Sequence, residues 1–274
     1  MQINKAFLSL FLLISSLPFS IKAQETYDYT TFRHKLDSLV NNKQQQQSCY
    51  YHFARLYQRV SIGVSTLAKA GKLRDTAFIS KLEGRFGYYF LKNFDSLNTG
   101  GVNNYCWKQA LDTQQHTNHY ATSLIMNMSA HITHDLFFAL TDVFKTHPPT
   151  KANKKDYKLV AKIHEKIVAD YFENIMPHLK ADKKWKRQSI RKLSKQAAKG
   201  LRMERNRVWN EAKKAAENPK KFAEYYFRHM ALSRKMADRI LKPKGLLKTG
   251  IEIADTLDSL TFEEKAFLLN NARP

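Results

Sequence analysis

Apolar side chains recur at spacings of three and four through nearly every stretch of this chain, a rhythm that suits helices packed on helices and not strands. Phe53, Leu56, Tyr57, Val60 and Val64 form one such stripe, and Leu82, Phe86, Tyr89, Phe90 and Phe94 another. Loop formers interrupt the rhythm at Asn41 to Ser48, Asn98 to Asn104, His147 to Asn153, Asn218-Pro219 and Lys242 to Gly245. The spacing therefore predicts helices over about Thr26–Val40, Tyr50–Ala70, Thr76–Ser96, Asn103–Thr146 in one or two pieces, Lys154–Lys180, Asp182–Ala216 and Lys220–Leu241, then a C-terminal pair. Thr261 with Glu264 three residues on reads as a capping box. No internal repeat and no long linker divides the chain, so the expected fold is all-α: a single bundle of about eight helices.

The first 23 residues are expected to lie outside that bundle. Lys5 precedes a short apolar core from Ala6 to Leu17, and Ile21-Lys22-Ala23 resembles a cleavage site, which together read as a cleaved signal peptide. Residues 24–274 would then be one exported domain, secreted or periplasmic, with no later run apolar enough to cross a membrane. Of the two cysteines, Cys49 and Cys106, an oxidising compartment would allow one disulfide stabilising the fold by about 4 kcal/mol. Two buried free thiols fit the sequence equally.

Removing residues 1–23 takes away Lys5 and Lys22 and no acid, which changes the net charge from +22 to +20. Most of the excess lies between Lys180 and Lys248, where 23 Lys and Arg face 6 Asp and Glu, a net of +17. Such a field favours anionic lipid or cell-envelope polymers as partners, or it keeps a helical face in water. No nucleic-acid motif accompanies it, so sequence-specific nucleic-acid binding is not expected.

Chemistry concentrates in Met126–Leu140, MNMSAHITHDLFFAL, where His131, His134 and Asp135 interrupt an otherwise apolar helical pattern. His131 and Asp135 are one turn apart, so an imidazole nitrogen and a carboxylate can converge. That is half of a site for Zn, Mn or Fe, or it is a buried hydrogen-bonded pair without metal. His116 and His119 would lie roughly 18–22 Å away along a continuous helix, too far to share the site.

The segment Ala130-His131-Ile132-Thr133-His134-Asp135-Leu136 also resembles the signature of the bacterial domain-of-unknown-function family 5995. Phe53–Val64, Glu83, Trp107, the run from Asp156 and Arg205–Trp209 follow in the same order as in that family. The resemblance covers roughly Tyr50 to Met236 and implies an all-helical domain, with no activity attached. It also suggests further ligands for a divalent metal beside His131 and Asp135: Glu83, where the family tends to have a carboxylate, and Asp156. Without metal, Glu83 would pair with Lys81 or Arg85 on a helix surface, and Asp156 would sit in a first turn against the helix dipole. Arg205, one turn before Trp209 as in the family, would clamp a ligand anion, pair with Asp135, or pack its stem on the indole.

Two functions follow. In the first the protein is a metal-dependent hydrolase of phosphoester or lipid substrates, with His131, Asp135 and Arg205 as catalytic residues and His131, Asp135, Glu83 and Asp156 holding the metal. In the second it is a non-catalytic basic module that docks on anionic surfaces through Lys180–Lys248. Phosphate-binding glycine loops, the Gly-x-Ser-x-Gly elbow and His-Glu-x-x-His are absent from the sequence.

Overall fold

Among the described residues the apolar stripes become the buried faces of eight α-helices: α1 (Tyr29–Asn41), α2 (Cys49–Lys69), α3 (Thr76–Asn98), α4 (Tyr120–Ala130), α5 (Leu136–Thr146), α6 (Lys151–Ile175), α7 (Lys184–Glu217) and α8 (Phe222–Leu241). The computed structural model describes residues 28–42, 49–98, 107–109, 120–175, 184–245, 247–248, 251–252, 261 and 264–265, and no strand occurs among them. The expected signal segment, His116, His119, Cys106 and the side chain of Cys49 lie outside the described residues. No described helix is long and apolar enough to cross a membrane.

Local chemistry sets the ends of these helices. Asp28 caps α1 by accepting the Thr31 amide at 2.8 Å. At the end of α2, Gly71 turns left-handed (φ 63°), and the amides of Gly71 and Lys72 bond back to Ala68 and Leu67 in a Schellman closure. Helix α6 begins three residues earlier than the loop-rich HPPTKAN suggests. Thr150 caps it by accepting the Asn153 amide at 3.1 Å, while the Asn153 side chain accepts the Thr150 amide at 2.9 Å. The capping box at Thr261 and Glu264 is present as expected, with both reciprocal bonds formed.

One continuous core joins α1 to α8, built from Phe32, Phe78, Phe86, Phe90, Trp107, Leu136, Phe137, Tyr157, Trp209 and Tyr225 among others. Helices α5 and α6 pack on α7, and α3 lies across α1 and α5. Where α1 crosses α3, the Phe32 ring lies so close to Gly87 that a Cβ there would overlap it. Helix α7 buries a narrow stripe: Arg205, Val208, Trp209, Ala212 and Ala215 are inside, while Lys192, Lys195, Lys199, Lys213 and Lys214 are exposed.

Candidate functional site

Between α4 and α5 the helix widens for one π turn, His131–Asp135, in which the Leu136 amide bonds to the His131 carbonyl five residues back. All five residues of the turn are buried. The widening leaves a carbonyl to be satisfied from elsewhere, and His229 of α8 does this, its Nδ1 donating to the Thr133 oxygen at 2.8 Å. His229 is itself fully buried, stacked on Phe137, with Nε2 2.8 Å from the Glu211 carboxylate.

Asp135 is the centre of the turn and is completely buried. Oδ2 accepts from His131 Nδ1 at 3.0 Å, and Oδ1 accepts from His134 Nδ1 at 2.9 Å. The indole Nε1 of Trp107 reaches both oxygens at 3.2 and 3.3 Å, and Asn93 of α3 donates to Oδ1 at 3.1 Å. Burial alone would raise this carboxyl. The bonds from His131 and His134 outweigh it and hold the group below the ordinary carboxylate range, so Asp135 is an anion solvated by N–H groups of the protein.

The same bonds decide the state of His131. An Nδ1 that donates to Asp135 leaves the lone pair on Nε2, and burial pushes the imidazole below its ordinary pKa against the pull of Asp135. Its ring is stacked on Phe86 with centroids 3.6 Å apart and touches Tyr57, Phe53 and Phe90. Nε2 is buried and finds no hydrogen-bond partner among the described residues. Beside it, between α2, the π turn, α6 and α7, lies an apolar pocket with about 30 Å³ of room, lined by Tyr57, His131, His164, Ile167 and Leu201 among others. That is space for a water molecule or two, or for a slim apolar group.

The other expected site residues go to different places. Asp156 does not join the pair. Its Oδ2 accepts the amides of Arg74 and Asp75 ahead of α3, at 2.8 and 2.7 Å, so it holds the start of that helix. Asp75 lies about 27 Å along α3 from Asn93, which touches Asp135. Glu83 is not on a helix surface, because Arg85 pairs with Asp142 at 2.7 Å while Glu83 is fully buried. Burial raises the Glu83 carboxyl to about 7, with Arg205 opposing the rise. Arg205 is 1 % exposed and does not pair with Asp135, and its guanidinium faces the Tyr157 ring at 4.8 Å, not the Trp209 indole. Trp209 packs instead against Phe78, Phe144 and Tyr157.

The proposed metal ligands therefore do not converge. Among the described residues no group of three or more His, Cys, Asp or Glu is placed to hold a metal ion. The donor chemistry agrees, since the Asp135 oxygens are already taken by four N–H groups.

As partners of this site, sequence reasoning missed Asn93, Tyr57 and His229, which lie far away along the chain: Asn93 is 42 positions from Asp135, and Tyr57 and His229 are 74 and 98 positions from His131. A polar Asn93 within the apolar run Phe90–Phe94, and His229 on the buried face of α8, were the available signals. No curated protein and no solved structure matches the chain. Residues 31–243 match a family whose description is simply that of a family of unknown function, a span that encloses every residue of the site, and the chain belongs to that family, DUF5995.

Proposed function

We propose that the protein is an exported hydrolase of small acyl or phosphoryl esters in which His131 is a general base and no metal takes part. One observation carries this reading: Asp135 fixes His131 through Nδ1, leaving Nε2 buried and unpartnered on a residue that lines a pocket. A carboxylate-oriented imidazole of this kind is an established arrangement for proton abstraction. Nε2 takes a proton from water as the water oxygen bonds to the substrate carbonyl or phosphoryl centre. The bond to the leaving oxygen then breaks, and that oxygen recovers the proton from Nε2. Asp135 stabilises the imidazolium in between, and Arg205, whose charge reaches His131, favours the negative charge on the reacting centre.

The test is turnover of p-nitrophenyl butyrate and p-nitrophenyl phosphate in the presence of EDTA. The expected result is chelator-insensitive turnover of at least one, lowered about 100-fold or more in His131→Gln and reduced in Asp135→Asn, with circular dichroism confirming that both variants fold. No turnover of either ester, loss of turnover on chelation, or full activity in His131→Gln would remove the reading.

A second reading is supported by the outer face of α7. Lys192, Lys195 and Lys199, at i, i+3 and i+7, are all exposed on one side of that helix, with Lys214 further along. Docking on an anionic lipid surface through this face is compatible with a catalytic interior, and its consequence is salt-dependent binding to anionic vesicles.

A further inference from the structure

Helix α6 turns a row of lysines to the solvent. Lys151, Lys155, Lys158, Lys162 and Lys166 are all exposed, and their spacings of four, three, four and four keep them on one side of the helix over about 22 Å. Like charges one turn apart repel, so the row is an unfavourable arrangement for the helix alone. Two acids of α6 are engaged away from it: Asp156 is buried and accepts the amides of Arg74 and Asp75, and Glu165 accepts from Arg202 of α7 at 2.8 Å. Asp170 and Glu173 come one and two turns after Lys166, where the row ends. The outer face of α7 continues the positive field with Lys192, Lys195 and Lys199. The bonds from Lys154 to Asn210, at 3.1 Å, and from Arg202 to Glu165 hold the two helices antiparallel, and by that register Lys166 is level with Lys199 and Lys162 with Met203. Where the helices meet, Lys158 and Lys213 add to burial in lowering the Lys154 ammonium below the ordinary lysine value, a sign of crowded positive charge. An apolar side chain shares this face: Met203 is one turn beyond Lys199 and 63 % exposed.

We propose that the joined outer faces of α6 and α7 form a docking platform for an anionic lipid bilayer, with the α6 row as the principal contact and Met203 entering the headgroup layer. The class of partner rests on the lipid-docking reading above, whereas the α6 row is new to it and lies outside the basic third between Lys180 and Lys248. Charge complementarity calls for a polyanion, and an anionic membrane surface attracts each lysine that reaches its headgroups. Shape then favours a surface over a strand. Helices α6 and α7 pack side by side, and at the usual axial separation of about 8–10 Å they present two parallel rows of lysine, whereas a linear polyanion follows one. An exposed thioether gains nothing from a charged polymer but is drawn into a bilayer interface.

Three variants of the full chain, each losing three exposed lysines, test this. The first carries Lys155→Gln, Lys158→Gln and Lys162→Gln on α6, the second Lys192→Gln, Lys195→Gln and Lys199→Gln on α7, and the control Lys35→Gln, Lys81→Gln and Lys92→Gln on α1 and α3. Co-sedimentation is measured at low salt with vesicles of phosphatidylcholine containing about 30 % phosphatidylglycerol, and with phosphatidylcholine alone. Wild type should bind the first and not the second. The α6 variant should lose about tenfold or more in partitioning, the α7 variant should lose less, and the control should stay within about threefold of wild type. Met203→Ser should weaken vesicle binding while leaving binding to linear polyphosphate unchanged. Urea midpoints near wild type show that each variant is folded. An α6 variant that binds like the control would overturn the inference, and if the α7 variant alone were impaired the lipid-docking reading would stand without it. No binding of wild type to the anionic vesicles would remove both. Equal losses in all three variants would mean that net charge and not this face is recognised, and polyphosphate binding that depends on the α6 row without any vesicle binding would assign the face to a linear polymer; either result overturns the bilayer platform.

Discussion

At the scale of single residues, the buried acids of this core show how burial and partners compete. Asp135 and Glu83 are both fully buried, yet one is held below and the other well above the ordinary carboxylate range. The difference is hydrogen bonding: Asp135 receives four N–H donors and Glu83 receives none from the described residues. A carboxyl raised from 4.5 to about 7 holds its proton in the folded state at pH values where the unfolded chain has released it. Its contribution is therefore present below 4.5 and lost as pH rises to about 7, an effect of about 3 kcal/mol. Glu83→Gln lacks this titration. Urea unfolding at pH 4.5 and pH 8 should show wild type losing about 3 kcal/mol relative to the variant across that window. A constant difference between the two proteins would mean that Glu83 is not desolvated. The pairing of His131 with Asp135 was legible from their spacing, because one helical turn brings such groups together. Asn93 and Trp107 were not legible as donors, since their contacts with Asp135 cross between elements.

At the scale of elements, helix identity followed from periodicity, and the departures have local causes. Thr150 and Asn153 extend α6 backwards through a stretch of loop formers because their side chains satisfy the free amides of its first turn. The π turn was invisible in sequence, since its extra residue is supported by His229 from α8 and not by any neighbour. The crossing of α1 and α3 depends on a missing side chain. Alanine at Gly87 would gain about 1 kcal/mol in helix propensity but would overlap the fully buried Phe32 ring, where overpacking costs about 1–3 kcal/mol. Gly87→Ala should therefore be destabilised by about 1 kcal/mol in equilibrium urea unfolding. A variant more stable than wild type would show that the ring moves aside freely.

At the scale of the whole molecule, charge is segregated from the core chemistry. The described part of the basic third presents lysines of α7 to solvent while the opposite face of the same helix delivers Arg205 and Trp209 to the interior. Some of the excess is neutralised locally, as where Arg202 pairs with Glu165 and Arg207 with Glu204 and Glu211. Lys192, Lys195 and Lys199 are exposed, and replacing all three with glutamine should weaken co-sedimentation with anionic vesicles at low salt while leaving the unfolding midpoint within about 0.5 kcal/mol of wild type. Binding should also fall as ionic strength rises from about 0.01 to 0.15 M, where the Debye length shrinks from about 30 to about 8 Å. Binding indifferent to salt and to these changes would assign the charge to solubility alone.

The amino-acid sequence by itself determined the all-helical class, the approximate extents of the helices and the approach of His131 to Asp135. Each of these depends on residues within a few turns of one another, where backbone geometry dictates the spacing of side chains. Tertiary structure alone decided that Asp156 serves the start of α3, that Glu83 and Arg205 are both buried in the core, and that the Asp135 oxygens accept from the N–H groups of four side chains. Those outcomes depend on how helices distant in sequence are turned about their axes. Rotation is set by the packing of whole apolar faces, such as the Phe32 ring against Gly87, and no local pattern encodes it.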